Sequence, residues 1–128
     1  MSKFGIEVFP PEKVKSLEDK SFDCITLWHV LEHFHDPQQW LSEINRLLKD
    51  DGKCIIALPN IKSVDSTWFG CNWAALDVPR HLWHFEPETL RKLAWQKGFS
   101  CLEIKGLPFD LFYISILTYK NTRKHFPF

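Results

Sequence analysis

The chain has no net charge: sixteen Lys and Arg side chains are matched by sixteen Asp and Glu. That balance argues against a nucleic-acid partner and against a polybasic membrane patch. The locally basic end (Lys120, Arg123, Lys124, His125) reads as a solvated tail. No apolar run approaches the roughly 20 residues needed to cross a bilayer, so no membrane partner is expected. The opening "MSKFGIEVFPPEK" has no apolar stretch of the secretory kind. The four cysteines, Cys24, Cys54, Cys71 and Cys101, form no C-x-x-C pair. Three of them sit in apolar strand-like runs, where a free thiol behaves as a small hydrophobe. This usage implies a reducing, cytoplasmic setting and no thiolate zinc site. There are no internal repeats, low-complexity tracts or linkers, and 128 residues suffice for one domain, 1–128, with a core of its own.

Aromatics are abundant: eleven Phe, six Trp and two Tyr. Many must fill the core. Along the chain, strand and helix patterns alternate. "GIEVF" (5–9), stopped by Pro10-Pro11, reads as a short strand, and a polar connection follows. "FDCITLW" (22–28) reads as a strand buried on both faces. Asp36 is a good N-cap, with Pro37 at the first helical position. Trp40, Leu41, Ile44, Leu47 and Leu48 then mark one apolar helical face. The pattern predicts that this helix runs through Lys49 and ends at Gly52 in a left-handed conformation.

"KCIIALP" (53–59) reads as a second buried strand, and residues 60–86 as a long loop of a functional or partly helical kind. A second helix is predicted from Pro87 to Gly98, and a half-exposed strand over 99–107. Residues 110–119 fit strand or helix equally. Two continuous apolar strands bridged by an amphipathic helix imply an α/β fold, with a mostly parallel sheet flanked by helices.

The stretch "WHVLEHFHDP" contains His29-Val30-Leu31-Glu32-His33, an H-x-x-E-H pattern. On a long helix this pattern can mark a zinc hydrolase that uses both histidines and the glutamate. Here it follows directly on a strand, and Pro37 opens a new helix four residues later, so no resident metal is expected. Position offers another reading. In open α/β sheets small molecules bind beyond the carboxyl ends of the strands, which is where His29 and His33 fall. Asp77, Arg80, His81 and His84 could also gather around a metal if the loop turned suitably.

The run "SFDCITLWHVLEHFHDPQQWLSEINRLLKDDGKCIIALPN" closely resembles the middle of class I S-adenosylmethionine-dependent methyltransferases. The matching pieces are Asp23, His29 to His33, Asp36-Pro37, Arg46-Leu47-Leu48, Gly52 and Pro59-Asn60. "DVPRHLWHFEPETLRKLAWQKGF" looks like a later segment of the same family. The resemblance implies a partial Rossmann-like methyltransferase fold. The family's glycine-rich cofactor loop has no counterpart, because the five glycines contain no G-x-G. "KFGIEVF" looks like the family's third strand, so the chain resembles the C-terminal part of a methyltransferase domain. Weak or no S-adenosylmethionine binding is therefore expected of this chain alone. Without the family's first strands, strand 22–28 becomes an open apolar edge. Either self-association or a rearranged strand 5–9 would be needed to cover it.

The resemblance also implies roles. Leu27, Trp28, His29 and His33 would line the cofactor side, with His29 or His33 as the proton acceptor, since imidazole titrates near neutrality. Asn60, Trp73, Asp77, Arg80, His81 and His84 would face a small-molecule methyl acceptor, unless Arg80 simply pairs with Asp77. A different class of reading is a non-catalytic assembly module that keeps the fold remnant and binds through its open edge.

Overall fold

Phe22–Trp28, rich in aromatic and β-branched residues, forms strand β1. Asp36 then starts helix α1 (Pro37–Leu47): its Oδ1 accepts from Gln39 N at 2.9 Å, and Pro37 holds the first helical position. The chain returns as strand β2 (Leu48–Ala57), parallel to β1, with Ile25 opposite Cys54 and Trp28 opposite Ala57. The computed structural model describes residues 5–100 and 103–124 of the chain. Beyond β2 lie helix α2 (Val64–Phe69), 3-10 turns at Gly70–Asn72 and Ala74–Leu76, helix α3 (Pro87–Gln96) and helix α4 (Pro108–Lys124). The architecture is mixed α/β, a small parallel sheet with helices, as expected. No helix among the described residues is long and apolar enough to cross a membrane.

The core sits where α1 covers the sheet. Leu27, Leu31, Leu41, Ile44, Leu48 and Phe85 form one buried cluster, with Ile25, Cys54, Leu90, Leu93 and Phe99 packed around it. The predicted apolar stripe of α1 accounts for three of the six. Burial pushes the Cys54 thiol up to about 11, with Cys24 adding to the rise, so Cys54 serves the core as a hydrophobe. Trp40, on the edge of the stripe, stacks on Phe34 at 4.5 Å between ring centroids.

Helix α1 stops four residues earlier than its periodicity suggests. Lys20 N donates to Arg46 O and Ser21 N to Leu47 O, both at 2.9 Å, so the preceding segment satisfies the helix's last carbonyls. Leu48 is then free to pair with Phe22. Gly52 ends no helix. It lies where β2 doubles over itself, between Leu48 opposite Phe22 and Lys53 opposite Cys24, and a Cβ there would meet Leu48 Cδ2 and Lys49 O at 3.0 Å. Gly98 does close α3 with a φ of 86°, a conformation glycine adopts without a Cβ clash.

Three strand expectations fail. Residues 5–9 are not in a strand, and Ile6 and Val8 are exposed; among the described residues the sheet consists of β1 and β2 alone. Of the expected strand 99–107, Cys101 and Leu102 lie outside the described residues, and 99–100 and 103–107 are not in a strand among the described residues. Strand β1 itself is not buried on both faces. Only Leu27 is buried, and Phe22 and Trp28 are exposed, because β1 pairs with β2 alone among the described residues. Among the described residues no strand pairs with its outer edge, and segment 5–9 is not a strand there.

The polar connection after residue 10 forms a 3-10 helix, Pro11–Ser16, anchored by one side chain. Arg46 donates to Leu17 O at 2.9 Å and Val14 O at 3.2 Å, and pairs with Glu43 and Asp19. The ambiguous run 110–119 is helical, inside α4. Thr118, fully buried, holds α4 down: its Oγ1 accepts from Ala74 N at 2.9 Å and donates to Ile114 O at 2.8 Å. Elsewhere α4 is exposed and apolar, with Phe109 at 89% and Phe112 and Tyr113 above half exposure.

Candidate functional site

The chain leaves β1 through a sharp reversal. His29 N donates to Ala57 O at 3.0 Å, so the residue caps the tip of the parallel pair, and its φ of 53° is left-handed. A single 3-10 turn, Leu31–His33, follows. His29 and His33 therefore do not share the face of a continuous helix, and the arrangement a zinc-peptidase helix needs is not formed. The turn buries Leu31 in the core and places the Glu32 side chain at 1% exposure.

The loop after β2 is drawn onto this turn. Its start and end are tied by a bridge between Asn60 and Phe85. Leu82 N and Trp83 N both donate to Glu32 O, at 2.9 and 3.3 Å, and the Trp83 indole donates to Phe34 O at 2.8 Å. These contacts carry His81 to the Glu32 carboxylate, with Nε2 3.8 Å from Oε1. From the other side, His29 Nδ1 lies 3.7 Å from the same oxygen. The His33 ring stands edge-on to His81, 4.7 Å between centroids.

The remaining ring nitrogens have definite partners. His33 Nδ1 meets Arg80 O at 2.9 Å and His81 Nδ1 meets Ala75 O at 2.8 Å. A carbonyl oxygen only accepts, so each Nδ1 carries the proton and each Nε2 keeps its lone pair when the ring is neutral. His29 Nε2 faces Asp110 Oδ2 at 2.9 Å, which leaves Nδ1 as its bare nitrogen. Three imidazoles thus surround one buried carboxylate, and both Glu32 oxygens have no hydrogen-bond partner among the described residues.

The other expected site residues are placed less centrally. The Leu27 side chain belongs to the core, so only its backbone remains for a ligand, while Trp28 is exposed at the strand tip. Asn60 Oδ1 accepts from Lys62 N at 2.9 Å and shapes its own turn. Trp73 is buried and donates to Asp65 Oδ2 at 2.8 Å, which makes it a support of the loop instead of a pocket wall. Arg80 does pair with Asp77, Nη2 to Oδ1 at 2.6 Å, and its side chain is exposed. His84 donates from Nε2 to Leu76 O at 2.9 Å, on the far side of His81. Nothing in the sequence singles out Asp110, because its run fits strand and helix equally. Glu32 stood out only within the His29 to His33 motif, with no site role of its own outside the zinc reading, and Asp65 not at all.

Comparison with known proteins adds a second line. The family described as "Methyltransferase domain" matches residues 5–104. The chain is 30% identical over 99 residues to the ubiquinone biosynthesis O-methyltransferase of Glaesserella parasuis serovar 5 (strain SH0165), covering 73% of this chain and 42% of that protein. The protein of the same name from Pelagibacter ubique (strain HTCC1062) is 27% identical over 115 residues, 85% of this chain and 47% of its own length. That of Haemophilus ducreyi (strain 35000HP / ATCC 700724) is 28% identical over 97 residues, 71% and 41%. The chain thus spans less than half the length of these relatives. No solved structure matches.

Proposed function

The chain belongs to the methyltransferase-domain family, and on that premise we propose that it is the C-terminal part of an S-adenosylmethionine-dependent methyltransferase acting on a small molecule, in the cytoplasm. The observation that carries this reading is the parallel β1–β2 pair, whose carboxyl tips present His29 and, through the loop, His33 and His81. That is where an open α/β sheet takes its ligands. The relatives are O-methyltransferases by name, so an oxygen acceptor with a proton to lose is the reading for this chain.

The residues present fit one wall of an adenosyl pocket. Trp28 is exposed at the tip and no glycine turn is available to cradle the cofactor. S-adenosylmethionine, when bound, supplies a methyl group on a sulfonium. This chain's own contribution is on the acceptor side. His33, exposed and with its Nδ1–H held by Arg80 O, offers Nε2 to an acceptor hydroxyl proton. His29 is less available, since Asp110 and Glu32 flank both of its nitrogens. The exposed residues of β1 and the apolar face of α4 are surfaces that the rest of the domain would cover. Titration calorimetry of the chain with S-adenosylmethionine should show no saturable binding. Micromolar binding by these 128 residues would overturn the partial-domain reading.

The open edge of β1 favours a second reading, assembly with another copy of the chain. Unpaired N–H and C=O groups along seven apolar-rich residues are a template for strand addition. Sedimentation velocity should then show association that grows with protein concentration. A monomer throughout would remove this reading and leave the first untouched.

A further inference from the structure

We propose that Glu32, His33 and His81 form a binding site for a divalent transition-metal ion of the zinc type, against the expectation of no metal and unrelated to a zinc-peptidase helix. Each of the three offers a ligand atom, and these atoms lie within 4.8 Å of one another. Carboxylate with two imidazoles is a donor set of intermediate softness, suited to zinc and its neighbours and poorly suited to calcium or magnesium.

Two independent observations point to a ligand. The first is Glu32: a carboxylate at 1% exposure with neither oxygen hydrogen-bonded among the described residues. Buried ionised carboxylates are strongly disfavoured unless paired or bound to a metal, and here ring nitrogens of His29 and His81 stand 3.7 and 3.8 Å from Oε1, beyond hydrogen-bond distance. The second is the locking of those rings. A metal-ligating histidine characteristically donates its other N–H to a carbonyl or carboxylate, which fixes the ring and its tautomer. His33 does so to Arg80 O and His81 to Ala75 O.

The spacing is close to what a metal would impose. Donors about 2.0–2.1 Å from a tetrahedral zinc lie about 3.3 Å apart, against 3.8 Å between His81 Nε2 and Glu32 Oε1. Small side-chain rotations close that gap. Three protein donors leave a fourth position open, and His29 stands 3.7 Å from the same carboxylate oxygen, beside it. The ion would join the exit of β1 to the loop that carries His81. None of this rests on the transferase reading, and an ion here would occupy the His33 Nε2 lone pair, so metal binding and the general-base role of His33 are alternatives.

The test uses the full chain freed of metal by a chelator. Calorimetric titration with Zn²⁺ alone should show one equivalent bound. Glu32→Gln, nearly isosteric, and His33→Ala, at an exposed ring, should each weaken binding by roughly 10- to 100-fold or more. With Co²⁺ in place of zinc, the electronic spectrum should lack thiolate charge-transfer bands. Absence of stoichiometric binding by the parent chain, unchanged affinity in both variants, or thiolate bands would each overturn the proposal.

Discussion

A chimera carrying the N-terminal portion of the Glaesserella parasuis relative ahead of residue 5 is expected to bind S-adenosylmethionine at micromolar concentration, where the chain alone is expected to show no saturable binding. Two physical effects produce the difference. A glycine turn opening onto a helix N-terminus would supply close backbone approach and N–H groups to the cofactor. Added sheet pairing along the outer edge of β1 would also cover Phe22 and Trp28, both exposed here. Supplying the two parts as one polypeptide makes their association intramolecular. In the chimera, His33→Ala should lower kcat for a hydroxyl acceptor by about 10²- to 10⁴-fold, the range for loss of a general base. The affinity for S-adenosylmethionine should change little. A chimera that binds the cofactor and transfers methyl groups equally well with and without His33 would remove that residue from the mechanism.

Replacing Leu41 with alanine should cost about 2–5 kcal/mol of folding stability. Leu41 is fully buried and belongs to the cluster that joins α1 to β1, β2 and Phe85. Its loss leaves a cavity that the surrounding elements close only in part, because a two-stranded sheet with one covering helix offers few side chains to refill it. Domains of this size are stable by only about 5–15 kcal/mol, so the substitution removes a large share of the total. Urea unfolding followed by circular dichroism measures it. Trp95→Ala, at an exposed ring on α3, should change stability by about 0.5 kcal/mol or less. Equal effects from the two substitutions would mean that the core does not sit where Leu41 points.

The elements most legible in the sequence were those decided by their own residues. Asp36-Pro37 announced the start of α1, and the β-rich run 22–28 gave β1 to the residue. Pro87 and Gly98 bracketed α3 in the same way. What misled was decided by neighbours. The end of α1 depends on amides from Lys20 and Ser21, which no helical period records. Segments 5–9 and 103–107 have strand-like composition but are not strands among the described residues. Within the site, the strand-end position of His29 and His33 was readable from topology. The meeting of Glu32 with His81 was not, because it needs the loop to return over forty residues later and dock on the Glu32 carbonyl. Trp73 looked like a pocket aromatic and proved to be an internal support, a distinction that composition alone does not make.

The backbone at His29 has one more implication. An L-residue with a side chain held at a φ of 53° is disfavoured by about 1–2 kcal/mol relative to the right-handed form, a burden glycine would not carry. A glycine at this corner would make a sturdier protein with an empty space opposite Asp110. The His29 imidazole meets Asp110 Oδ2 through Nε2 at 2.9 Å, so one ring ties the exit of β1 to α4.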